Sequence, residues 1–96
     1  MQFFVLTRRK TDQFPADKWT PELLEQESQR VRELYSTGVL RSIWRRKDEP
    51  GAVLLLEAAS EAEARDAASS LPLARLGMLE LVALTPLEPY PGFGPR

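Results

Sequence analysis

The chain contains no cysteine and no histidine. The first absence removes disulfides, thiolate nucleophiles and sulfur-ligated metal or cluster sites. The second removes Ser-His-Asp and Cys-His catalysis, ordinary zinc sites, and the commonest general base near neutral pH. Proton transfer then falls to a carboxylate, a tyrosine, a lysine or bound water. A basic excess is missing as well. Thirteen Lys and Arg stand against fourteen Asp and Glu, for a net charge of −1, which argues against a nucleic-acid partner. The longest apolar run, Ala52 to Leu56, is too short to cross a bilayer. Arg8, Arg9 and Lys10 follow the first apolar segment, the reverse of a secretory signal, so a cytoplasmic location is expected. The five glycines form no phosphate-cradling or dinucleotide pattern, and no acid cluster has metal-ligand spacing. No metal is expected.

What is present is 96 residues, enough for one small domain. A chain of this size buries roughly 60–65% of its unfolded surface, so a lone subunit would be marginal. Residues 2–8, with Phe3, Phe4, Val5, Leu6 and Thr7, have the composition of a strand. Arg8, Arg9 and Lys10 then open a polar loop and read as a solvated loop mouth or an anion site. Thr20-Pro21-Glu22 marks a helix start: a hydroxyl cap, a proline at the first position, and an acid at the positive dipole end. That helix is expected to end near Thr37, with Gly38 in the left-handed cap position.

Val39 to Arg46 reads as a second strand and Ala52 to Glu57 as a third, joined by the turn Asp48-Glu49-Pro50-Gly51. Ser60 and Glu63 form a capping box for an alanine-rich helix ending near Ser70. Leu76 to Leu84 is expected as a fourth strand, apolar on both faces. The order β-α-β-β-α-β predicts an α+β, ferredoxin-like domain over residues 1–84. In that fold a four-stranded antiparallel sheet carries two helices on one face. Residues 85–96 form a Pro- and Gly-rich tail with two aromatic residues, Tyr90 and Phe93. The tail reads as a loose extension or as an arm on a neighbouring subunit. Two helices leave one sheet face bare, so a homodimer or larger homo-oligomer is expected.

On a helical wheel Leu23, Leu24, Val31, Leu34 and Tyr35 make a stripe about 120° wide. Glu27 falls near its centre. A carboxylate there must be paired, protonated or facing a wet pocket, since burying it ionised and alone costs several kcal/mol. An arginine on the next strand would make it structural; a pocket would make it a base with a raised pKa. A different helix phase is the third option. Glu80, between Met78 and Val82, poses the same choice. In the second strand Arg41, Ile43 and Arg45 alternate with Leu40, Ser42, Trp44 and Arg46. Its arginines suit either a substrate carboxylate or surface acids, and Trp44 suits either core or a ligand wall.

The run Gly38-Val39-Leu40-Arg41-Ser42-Ile43-Trp44-Arg45 resembles the glycine-to-Leu-Trp-Arg segment of muconolactone Δ-isomerases. Leu71-Pro72-Leu73, followed by Glu80 and Leu84, is similar to their Leu-Pro-Leu segment and final strand, and Glu27 falls where they carry an acid. The resemblance covers roughly residues 2–88, and Ser42 replaces a histidine. It implies a dimeric α/β-barrel assembly, no cofactor, and a proton shift that moves a double bond in an unsaturated lactone. On this reading Glu27 is the catalytic base. Arg45 and Arg41 hold a carboxylate or enolate, Trp44 and Phe4 form an apolar wall, and Ser42 and Glu80 complete the pocket. A cyclase or cofactor-free oxygenase on this scaffold is the alternative enzyme; a non-catalytic ligand-binding module is the alternative without chemistry.

Overall fold

Alternation along the first strand builds the core: Phe3, Val5 and Thr7 are buried, while Phe4 and Leu6 are only half-buried. A computed structural model describes residues 1–93. Its strands are β1 (Gln2–Arg9), β2 (Leu40–Arg45), β3 (Ala52–Glu57) and β4 (Leu79–Leu87). Its α-helices are α1 (Pro21–Ser36), α2 (Glu61–Ser69) and α3 (Pro72–Arg75). The sheet order is β2-β3-β1-β4, and every neighbouring pair is antiparallel. This is the expected ferredoxin-like arrangement.

Local chemistry accounts for the helix ends. The Thr20 side chain accepts from Leu23 N at 3.2 Å, a cap worth about 1 kcal/mol. Gly38 takes φ +82° after the last turn, the conformation glycine adopts at least cost. At α2, Ser60 Oγ accepts from Glu63 N at 3.2 Å, and Glu63 Oε2 accepts from Ala59 N at 3.1 Å. Leu34, Ala64, Ala68 and Leu71 pack against Phe3, Val5, Leu54 and Leu56, so the helices cover one sheet face.

Several expectations need correction. Leu71-Pro72 opens a further short helix, α3, because proline serves as a first helical residue here rather than as a terminator. Strand β4 therefore starts at Leu79 instead of Leu76, and it runs on to Leu87. Strand β1 continues through Arg9. Tyr35 is 67% exposed and leaves the apolar stripe. In β2 the register slips between Leu40 and Ser42, so Arg41 is an extra residue. Simple alternation fails there: Leu40, Ile43 and Arg45 pair with Leu56, Leu54 and Ala52 on the helix side. Residues 94–96 of the expected tail lie outside the described residues.

The face away from the helices carries Phe4, Leu6, Val53, Leu55 and Trp44, placed there by their register partners. Trp44 is 57% exposed on it.

Candidate active site

The inward row of β1 continues past Phe3, Val5 and Thr7 to Arg9, at one end of the sheet. There a cleft of about 790 Å³ opens between α1, the second half of β2 and the β2–β3 turn. Thr7, Arg9, Glu27, Val31, Ile43, Trp44, Arg45 and Gly51 are among its lining residues.

Glu27 reaches this cleft from the middle of α1, one turn from Leu24 and from Val31. It is buried, with 9% of its surface exposed. Its Oε1 accepts a hydrogen bond from Leu73 N at 2.9 Å, so the first turn of α3 fixes the carboxyl. It forms no ion pair among the described residues. Burial pushes its pKa above the ordinary glutamate value. The Leu73 amide and the charge of Arg9 pull the other way without reversing that direction. The arrangement is that of a carboxyl held still, partly desolvated and open to a cavity.

Trp44 and Arg45 join Glu27 at the cleft; Arg41, Ser42, Phe4 and Glu80 do not line it. Arg41, in the bulge, donates from Nε to Gly38 O at 2.9 Å. Ser42 and Phe4 both pair with Leu55 in register and lie on the open face. Glu80 lies opposite Arg8 and accepts from its Nε at 2.8 Å. Edge position explains Trp44: its register points to the open face, but β2 ends the sheet and the residue also borders the cleft.

Sequence reasoning did not single out Thr7, Arg46 or Gly51 for the site, and named Arg9 only within a basic triplet read as a solvated loop mouth or an anion site. Arg9 had a readable signal, since it continues the Phe3-Val5-Thr7 parity toward the core side. Arg46 holds the turn: Nη1 donates to Thr7 O at 3.1 Å, and Nε and Nη2 grip Asp48 at 3.0 and 2.7 Å. The Thr7 contact joins residues far apart in sequence and leaves no local pattern. Among the described residues, no group of three or more acids is placed to hold a metal ion. Likewise none of their helices is long and apolar enough to cross a membrane.

Fold and cleft together define a ferredoxin-like α+β subunit with a buried carboxyl beside guanidinium groups. A family model described as muconolactone delta-isomerase matches residues 1–92, and the chain belongs to that family. Among solved structures, a muconolactone isomerase has a TM-score of 0.76 at 22% identity, with 96% of this chain and 93% of that one covered. A 5-chloro-2-hydroxyhydroquinone dehydrochlorinase from Burkholderia phenoliruptrix AC1100, in complex with 2,5-dihydroxybenzoquinone, has a TM-score of 0.69 at 14% identity. That match covers 92% of this chain and 94% of the other. Both likenesses are likenesses of fold. No curated protein matches the chain.

Proposed function

We propose that the protein is a cofactor-independent isomerase that shifts a double bond in an unsaturated lactone or related small cyclic compound. The observation that carries this reading is Glu27: a buried carboxyl with no ion pair among the described residues, facing a cleft. A base with a raised pKa is matched to removing a proton next to a carbonyl near neutral pH. Glu27 takes the acidic proton from one end of the carbonyl-conjugated system, and the electron pair moves onto the carbonyl oxygen. That end is the α carbon of a β,γ-unsaturated lactone or the vinylogous γ carbon of an α,β-unsaturated one such as muconolactone. Arg45, which lines the same cleft, is placed to donate to the developing charge. A proton returns from Glu27 to the opposite end of that system, so the product is an isomer and nothing is consumed. Trp44 supplies an apolar wall.

A non-catalytic module would be expected to ion-pair Glu27 and to lack a buried cavity; the absence of an ion pair to Glu27 among the described residues supports the catalytic reading. Incubation with muconolactone in D2O, followed by proton NMR, tests the reading. A shifted double bond, with deuterium at the carbon that gains the proton, is the expected result. An unchanged lactone, or a product whose ring count differs or whose mass differs by more than the incorporated deuterium, would defeat it.

The subunit is also proposed to pair through its open sheet face. Phe4, Leu6, Val53, Leu55 and Trp44 make that face apolar, which in a lone small domain is costly to leave in water. Tyr90 and Phe93, 78% and 87% exposed, are proposed to rest on a neighbour. Light scattering at micromolar concentration should give at least twice the 10.9 kDa chain mass. A stable monomer would contradict this assembly.

A further inference from the structure

Four arginines border the cleft: Arg9, Arg32, Arg45 and Arg46. Two are already engaged. Arg32 Nη2 pairs with Glu25 at 2.8 Å, and Arg46 pairs with Asp48 at 2.7 Å and Glu49 at 3.6 Å. Arg9 and Arg45 have no carboxylate partner among the described residues. These two differ in setting. Arg45 is exposed on the edge strand, whereas Arg9 is half-buried and its charge acts on the Glu27 carboxyl.

Arg9 is also held in place. Its guanidinium carbon lies over the Trp19 ring, 5.8 Å from the ring centroid. Trp19 is itself fixed, because Nε1 donates to Phe14 O at 3.1 Å and the Phe14 ring meets it edge-on at 6.4 Å. The backbone on either side is tied down too: Arg9 N donates to Pro50 O at 3.0 Å, and Lys10 N donates to Met78 O at 2.9 Å. A guanidinium stacked on an aromatic face retains its in-plane N–H donors for a planar anion. A half-buried cation with its own aromatic platform and no ion-pair partner among the described residues is organised for an anion from outside.

We propose that Arg9, positioned by Trp19, binds an acid group of the substrate and selects anionic ligands for the cleft. This rests on the isomerase reading only for the choice of ligand, and it leaves Arg45 free to face the developing enolate oxygen. Trp19 is a positioning residue; it acts by holding the Arg9 fork. The ligand class is a small cyclic carboxylate whose acid group sits at the β1 end of the cleft while its ring lies toward Glu27 and Trp44.

Calorimetric titration with muconolactone and with its methyl ester separates acid recognition from general binding. The parent protein should prefer the acid. Arg9→Met should weaken acid binding at least ~10-fold, the scale of a lost charged hydrogen bond, and leave ester binding near the parent value. Arg9→Lys should recover only part of the preference, because an ammonium lacks the planar fork. Trp19→Leu should lower the acid-over-ester ratio as well, a change that loosened packing alone would not produce. Parent protein that fails to bind the acid, or does not prefer it to the ester, overturns the proposal. So does an Arg9→Met protein that keeps the preference or weakens acid and ester equally. Acid-selective binding lost in Arg9→Met, in a protein that never turns muconolactone over, supports the Arg9 assignment and defeats the isomerase reading.

Discussion

Glu27→Gln should remove at least ~10²-fold of the turnover while leaving the fold intact, the loss expected when a general base is deleted. Glutamine keeps the shape and an oxygen that can accept from Leu73 N, but it cannot take a proton from carbon. The same variant should reveal itself in stability. A carboxyl whose pKa is raised on folding makes the folded chain lose stability as pH rises from the unfolded value through the folded one. Glutamine has no such loss. At neutral pH the variant should therefore melt at or above the parent temperature, and below the unfolded pKa that advantage should vanish. Paired thermal melts across this range, beside the turnover assay, check both halves. A destabilised variant with near-parental turnover would end the general-base assignment.

Gly51→Ala should be the most damaging small substitution at the cleft wall. A methyl group there would stand 2.2 Å from Thr7 O and 3.0 Å from Thr7 C, both backbone atoms in the adjoining strand. Arg46 Cδ, at 3.1 Å, closes the remaining side. The residue also has φ +153°, a conformation uncommon for side-chain-bearing residues. Relief requires β1 and the β2–β3 turn to separate, which loosens both the Arg46–Thr7 contact and the cleft mouth. A loss of about 2–4 kcal/mol is expected. In a domain this size that is a fall in melting temperature of roughly 10–30 °C. Gly38→Ala is the control. Its φ is +82°, but nothing lies within 4 Å of the added methyl, so only backbone strain of about 1 kcal/mol should register. Equal melts for the two variants would show that close packing at Gly51 is unimportant.

The elements that carry regular signals were legible in the sequence. Thr20-Pro21, Ser60 with Glu63, and the aromatic and β-branched composition of residues 2–8 each leave a local mark, and each marks an observed element. Glu27 was legible because an acid inside a leucine stripe has a position that a wheel reveals. The misses have a common cause. A four-residue helix such as α3 is too short for periodicity, and Pro72 is equally at home after a helix or at the start of one. The bulge at Arg41 shifts parity by one residue without any glycine or proline to announce it. That single slip put Leu40 on the same side as Ile43 and Arg45 and apart from Ser42, which lies on the open face. The partners that settle charge, Arg8 with Glu80 and Arg46 with Asp48, were set by sheet register and turn shape. Arg9 was hidden inside a basic triplet whose simplest reading is solvent.

The titration of the Glu27 carboxyl carbon, followed by carbon NMR in protein labelled at glutamate and assigned with the Glu27→Gln variant, tests the central claim most directly. The sign of the shift decides the role. Desolvation at the cleft predicts a midpoint above the ordinary glutamate value of 4.5, with the Leu73 hydrogen bond and Arg9 only moderating it. A midpoint at or below that value would show a carboxylate stabilised by charge, a structural acid, and would contradict its use as the base.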